Sequence, residues 1–114
     1  MQYWDLLAVD APDGTRDAVV VHQDESARAV LVVLNAGQAL GQHQVKENAW
    51  ISVVDGTVQV AAGETTVELG RGSLLRFEPA ERHALSTADG ARILILLAPW
   101  PGEGHFHPGE GNQP

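Results

Sequence analysis

Residues 49–79, "AWISVVDGTVQVAAGETTVELGRGSLLRFEP", constrain the fold more than any other part of the chain. Val58 and Val60 alternate with Thr57 and Gln59, and Val67 and Leu69 alternate with Thr66 and Glu68. A period of two puts one face of a strand in a core and the other in water, and it is incompatible with a helix of the same length. Asp55-Gly56 and Gly63-Glu64 lie between β-rich runs and predict tight hairpin turns, because such dipeptides tolerate positive φ. "GRGS" at 70–73 predicts another hairpin turn opening a strand.

The same rhythm extends along the chain. "RDAVVVHQ" (16–23) and "ARAVLVVLNAG" (27–37) flank a polar "DES" and predict a hairpin-like pair. "ARILILLAPW" (91–100) is apolar on both faces in its middle and predicts a central strand, ended by Pro99, which has no backbone donor. "YWDLLAV" near the start reads equally as a short helical turn or an edge strand. No longer stretch has helical periodicity. Eight or nine strands in about a hundred residues are too many for one open sheet, so the expected class is all-β, a sandwich or closed barrel. Residues 1–100 form the expected domain, with 101–114, dense in Pro and Gly, as an extended or mobile tail.

Composition narrows the function classes. Among 114 residues, 44% are apolar, enough for a core, and the formal net charge is −8. Seven Lys and Arg scattered singly give no basic face, so no nucleic-acid partner is expected. There is no cysteine, which excludes disulfides and thiolate chemistry. No run approaches the ~18 apolar residues of a membrane span, and the N-terminus lacks the pattern of a signal peptide. The expectation is a cytoplasmic protein with no membrane partner. Ser52, Ser73 and Ser86 lie in no nucleophile elbow, and phosphate-cradling glycine patterns are missing.

Two stretches carry a family resemblance: "GQHQVKENAWISVVDG" (41–56) and "GRGSLLRFEPAERHAL" (70–85). Together they resemble the two motifs of the cupin family, small jelly-roll barrels, over about residues 30–98. His43 and Gly56 match the first histidine and closing glycine of the first motif, and Gly72, Pro79 and His83 match the second. The first motif's second histidine falls on Val45 and its glutamate on Ala49, so two of the four usual metal ligands remain. The resemblance implies a single cupin-like jelly-roll β-barrel with a Pro/Gly-rich C-terminal tail, expected as a homodimer. Tyr3, Trp4 and Trp50 are candidates for the subunit surface.

Three readings of the histidines stay open. In the first, a pocket lined by His43, His83, Val45, Ala49, Ile51, Val53, Leu75, Phe77 and Leu85 holds a small-molecule ligand. In the second, Glu47 shares a face with His43 by strand alternation and completes a set with His83 for one divalent transition metal: iron, manganese, zinc or nickel. A dioxygenase- or isomerase-like metal enzyme would follow, and catalytic residues are not assignable beyond that set. In the third, the barrel is packed shut. Glu81 and Arg82 read as solvated loop residues, Trp50 as pointing away from the pocket, and His22 as a surface or turn residue. His105 and His107 read as incidental tail residues, or as part of a segment closing a barrel mouth with Trp100 and Phe106.

Overall fold

The computed structural model describes residues 1–10, 18–45 and 47–100, except the side chains of Gln42 and His43. The tail beyond residue 100, with His105, Phe106 and His107, lies outside the described residues, as does Lys46. Eight strands run through the rest: β1 (Val19–Gln23), β2 (Arg28–Leu34), β3 (Ala39–His43), β4 (Asn48–Ala62), β5 (Thr65–Gly70), β6 (Leu74–Phe77), β7 (His83–Ser86) and β8 (Ala91–Ala98). All pairings are antiparallel.

Strand β4 is the backbone of the fold. Its first half pairs with β8 on one side and β6 on the other, continuing a layer β1-β2-β8-β4-β6. Its second half pairs with β5 and β7, and β7 pairs with β3, giving the opposing layer. The inner faces supply one core of Val32, Leu34, Ala49, Ile51, Val53, Val58, Val60, Phe77, Leu85, Ala91, Ile93 and Leu97. The alternation read from the sequence selects these inward positions.

Two turn expectations need correction. Asp55-Gly56 is no hairpin: β4 passes straight through it, with a bulge between Val53 and Asp55 where the strand bends from one layer into the other. Gly56 has φ +81°, and a Cβ there would lie 2.2 Å from the Gly90 carbonyl oxygen. The glycine therefore serves a close backbone crossing as well as its conformation. "GRGS" does turn, with the Ser73 N–H donating to the Gly70 carbonyl at 3.0 Å. Yet β5 and β6 do not pair with each other; each pairs with a different half of β4, so this turn changes layers. Gly63 does sit in a true hairpin between β4 and β5.

The β1–β2 pair forms as expected, and β8 lies centrally between β2 and β4. Of the two readings of "YWDLLAV", the edge strand does not form; the segment makes a single turn, the Ala8 and Val9 N–H groups donating to the Asp5 carbonyl at 2.9 and 3.1 Å. This segment is tied to the outer face of the first layer. The Arg92 guanidinium donates to the carbonyls of Leu6 and Val9, and the Trp4 ring lies 5.4 Å from that of His22. Among the described residues no helix is long and apolar enough to cross a membrane.

Candidate functional site

The inner face of the first layer can be followed as a single rung. Arg28 on β2 is the Cα partner of Leu97 on β8, Leu97 of Ala49 on β4, and Ala49 of Phe77 on β6. Directly paired residues in a sheet share a face, and Leu97, Ala49 and Phe77 all belong to the core. The rung therefore crosses the inside of one end of the barrel.

From the opposing layer, His83 closes on this rung. Its ring stacks on Phe77 with centroids 3.8 Å apart and planes 5° from parallel, and the residue is only 3% exposed. His83 Nδ1 lies 3.0 Å from the Glu81 carbonyl oxygen. A carbonyl can only accept, so Nδ1 carries a proton. Histidines that bind a ligand through one nitrogen commonly have the other fixed in this way. His43 is the Cα partner of His83 across β3 and β7, so the backbone brings the two histidine positions together.

Glu47 precedes Ala49 by two residues and is 1% exposed. It lies at a bend directly before β4 and is nonetheless buried. Val45 and Leu75 pack, half-buried, against the core, while Ile51, Val53 and Leu85 are buried within it. Among the described residues no group of three His, Asp or Glu side chains gathers as a metal-binding set. At the two positions where the first motif would carry its other ligands, Val45 and Ala49 offer no donor.

Trp100, expected as part of a segment closing a barrel mouth, packs against the core, and the guanidinium carbon of Arg28, a residue not singled out in the sequence, lies 4.8 Å over its ring. The signal for Arg28 is present: it precedes Val30, Val32 and Leu34 at the same period of two, so an inward position carries a charge. Trp50 is on the outer face as expected, with Arg76 5.7 Å over its ring. Glu81 is exposed, and its carboxylate accepts from the Glu78 N–H at 3.0 Å. It also borders a cleft of about 240 Å³ between β5 and β6, whose walls include Val60, Val67, Leu75 and Phe77. Arg82 is exposed. His22 is half-buried at the end of β1, 2.9 Å from the Asp24 carboxylate.

Comparison with known proteins places this architecture. The family model described as the quercetinase C-terminal cupin domain matches residues 8–96. The chain belongs to the cupin family. Its fold is accordingly the jelly roll expected from the sequence, and solved structures agree. This cupin is similar to an uncharacterised conserved protein with a double-stranded β-helix domain from Klebsiella pneumoniae. The TM-score is 0.80 at 14% identity, covering 90% of this chain and 93% of that one. An RmlC-like cupin protein from Desulfovibrio desulfuricans gives 0.77 at 24% identity, covering 87% and 97%. TT1209 from Thermus thermophilus gives 0.76 at 24% identity, covering 87% and 98%. At these identities the likeness is one of fold. No curated protein gives a match.

Proposed function

We propose that this cupin binds a small organic molecule at the barrel end bounded by the Arg28–Leu97–Ala49–Phe77 rung and His83. The observation that carries the reading is His83 itself. It is a buried imidazole with Nδ1 committed to a backbone carbonyl, stacked on Phe77 beside the apolar Leu97 and Ala49. Apolar walls with a few fixed polar groups are the usual composition of small-molecule sites. His43, paired with His83 in the backbone, is part of the proposed site. Pairing with a second copy of the chain through the face bearing Tyr3, Trp4 and Trp50 belongs to the same proposal. Its support is the exposure of Tyr3, Leu7 and Leu74 beside those residues.

The burial of Glu47 favours a second reading, in which Glu47, His83 and His43 hold a divalent ion. Two histidines and a carboxylate suit iron, manganese, zinc or nickel, and such an ion would supply Lewis acidity at the same barrel end. The protein's own part would be to fix the His83 tautomer through the Glu81 carbonyl and to exclude water with Phe77 and Leu97.

Elemental analysis of full-length protein carrying His105→Ala and His107→Ala separates the two readings. A near-stoichiometric metal that disappears on adding Glu47→Gln or His83→Ala supports the second. Protein without metal after incubation with each ion, but with fragment-induced amide shifts at Ala49, Phe77 and His83, supports the first. Shifts confined to other surfaces would remove both.

A further inference from the structure

Arg28 is the charged residue of the barrel end that neither reading of the histidines uses. Its Nε is buried and makes no hydrogen bond among the described residues. The guanidinium is held against the Trp100 face; its rung neighbours Leu97, Ala49 and Phe77 provide no acceptor side chain, and the amide of Gln23, its partner on β1, leaves Nε unsatisfied. A buried donor left unsatisfied costs about 1–3 kcal/mol, more when it is charged. Stacking on an aromatic face stabilises the cation but satisfies none of its N–H groups, which point outward in the plane of the guanidinium fork.

We propose that Arg28 anchors the carboxylate of the molecule that the barrel end takes, so the ligand is a small organic acid with an apolar body. This rests on the small-molecule reading above and specifies its substrate class. The guanidinium fork matches a carboxylate in a side-on, two-bond arrangement that includes Nε. Trp100 holds the guanidinium over its ring before binding, which reduces the ordering needed on association. The apolar body then lies along the rung toward Phe77 and the stacked His83. Trp100 is itself fixed from outside the rung, its backbone N–H donating at 3.2 Å to the carbonyl of Ser26, just before Arg28 in the chain. The β1–β2 turn, β2 and the end of β8 thus position one cation.

The test uses the full chain with benzoate and benzamide, which share a shape and differ in charge, titrated by calorimetry and by amide chemical shifts. The expected result is benzoate binding at least about tenfold tighter than benzamide, with shifts at Arg28, Leu97 and Phe77. Arg28→Gln should abolish that preference. Arg28→Lys, which keeps the charge but loses the fork, should retain only part of it. A preference that survives Arg28→Gln overturns the assignment to Arg28. Equal binding of the two probes to the unaltered protein overturns the acid while leaving the barrel-end reading standing. Binding of neither overturns both. Should Arg28→Gln fail to fold, the unaltered protein and Arg28→Lys still decide between these outcomes.

Discussion

Replacing Gly56 by alanine tests how β4 passes between the two layers. Two penalties act together at this position. The backbone has φ +81°, a conformation that disfavours a Cβ by about 1–2 kcal/mol. The added Cβ would also stand 2.2 Å from the Gly90 oxygen and 2.9 Å from the Ala91 Cα, both backbone atoms that no side-chain rotation can move aside. Forcing such a contact apart shifts the β4–β8 crossing and adds about 1–3 kcal/mol, as in overpacked cores. The expected loss is therefore about 2–5 kcal/mol. Gly63 is the internal control: its φ is +60°, but nothing lies within 4 Å of the place a Cβ would take, so Gly63→Ala has only the conformational cost. At about 4–8 °C per kcal/mol for a domain near this size, the contact term of about 1–3 kcal/mol should make Gly56→Ala melt at least about 4 °C below Gly63→Ala. Thermal and urea unfolding followed by circular dichroism would measure the difference. Equal losses in the two variants, within about 0.5 kcal/mol, would refute the close-crossing argument.

Other consequences are equally direct. Thr87 is buried, its hydroxyl donating to the Thr57 carbonyl at 2.7 Å and accepting from the Gly90 N–H at 2.9 Å. Thr87→Val leaves both backbone groups without that partner and should lose about 2–4 kcal/mol in urea unfolding. The Asp24 carboxyl is held well below the usual carboxylate range by the Ser26 hydroxyl, then by His22, then by the N–H groups of Ser26 and Ala27. A depressed folded pKa stabilises above the unfolded value of about 4 and is lost as pH falls through the folded value. The stability gap between unaltered protein and Asp24→Asn should hence narrow as pH falls from about 5 to about 3; a gap that widens over that range would contradict this. Leu74 is 65% exposed on the outer face near Trp50; under the proposed pairing of two copies the unaltered protein should sediment as a dimer and Leu74→Glu as a monomer, and a monomeric mass for the unaltered protein would remove that pairing.

The parts of the fold that repeat locally are legible in the sequence. Val58, Val60, Val67 and Leu69 announce their strands by alternation, and the Ala91–Ala98 strand announces its central place by being apolar on both faces. Asp55-Gly56 reads as a hairpin because a hairpin turn and a strand bulge demand the same positive φ; only the distant Gly90 carbonyl distinguishes them. The direction of Glu47 is undetermined in the sequence for a related reason, since alternation holds only where the strand is unbroken, and β4 begins at Asn48. Arg28 and Trp100 are far apart in sequence and meet through the β2–β8 register, a long-range pairing that no local pattern encodes. The histidine pair is visible as two motifs, whereas the stack of His83 on Phe77 and its bond to the Glu81 carbonyl depend on how the two layers close.

The central claim is that the barrel end around His83 receives a small organic molecule. The most direct measurement is an amide and imidazole chemical-shift map of the full chain titrated with a fragment library. The account predicts saturable shifts clustered at Ala49, Phe77, His83 and Leu97, with the His83 Nε2 resonance moving and Nδ1 keeping its proton. Saturable binding elsewhere with His83 unmoved, or no binding by any fragment, would contradict it.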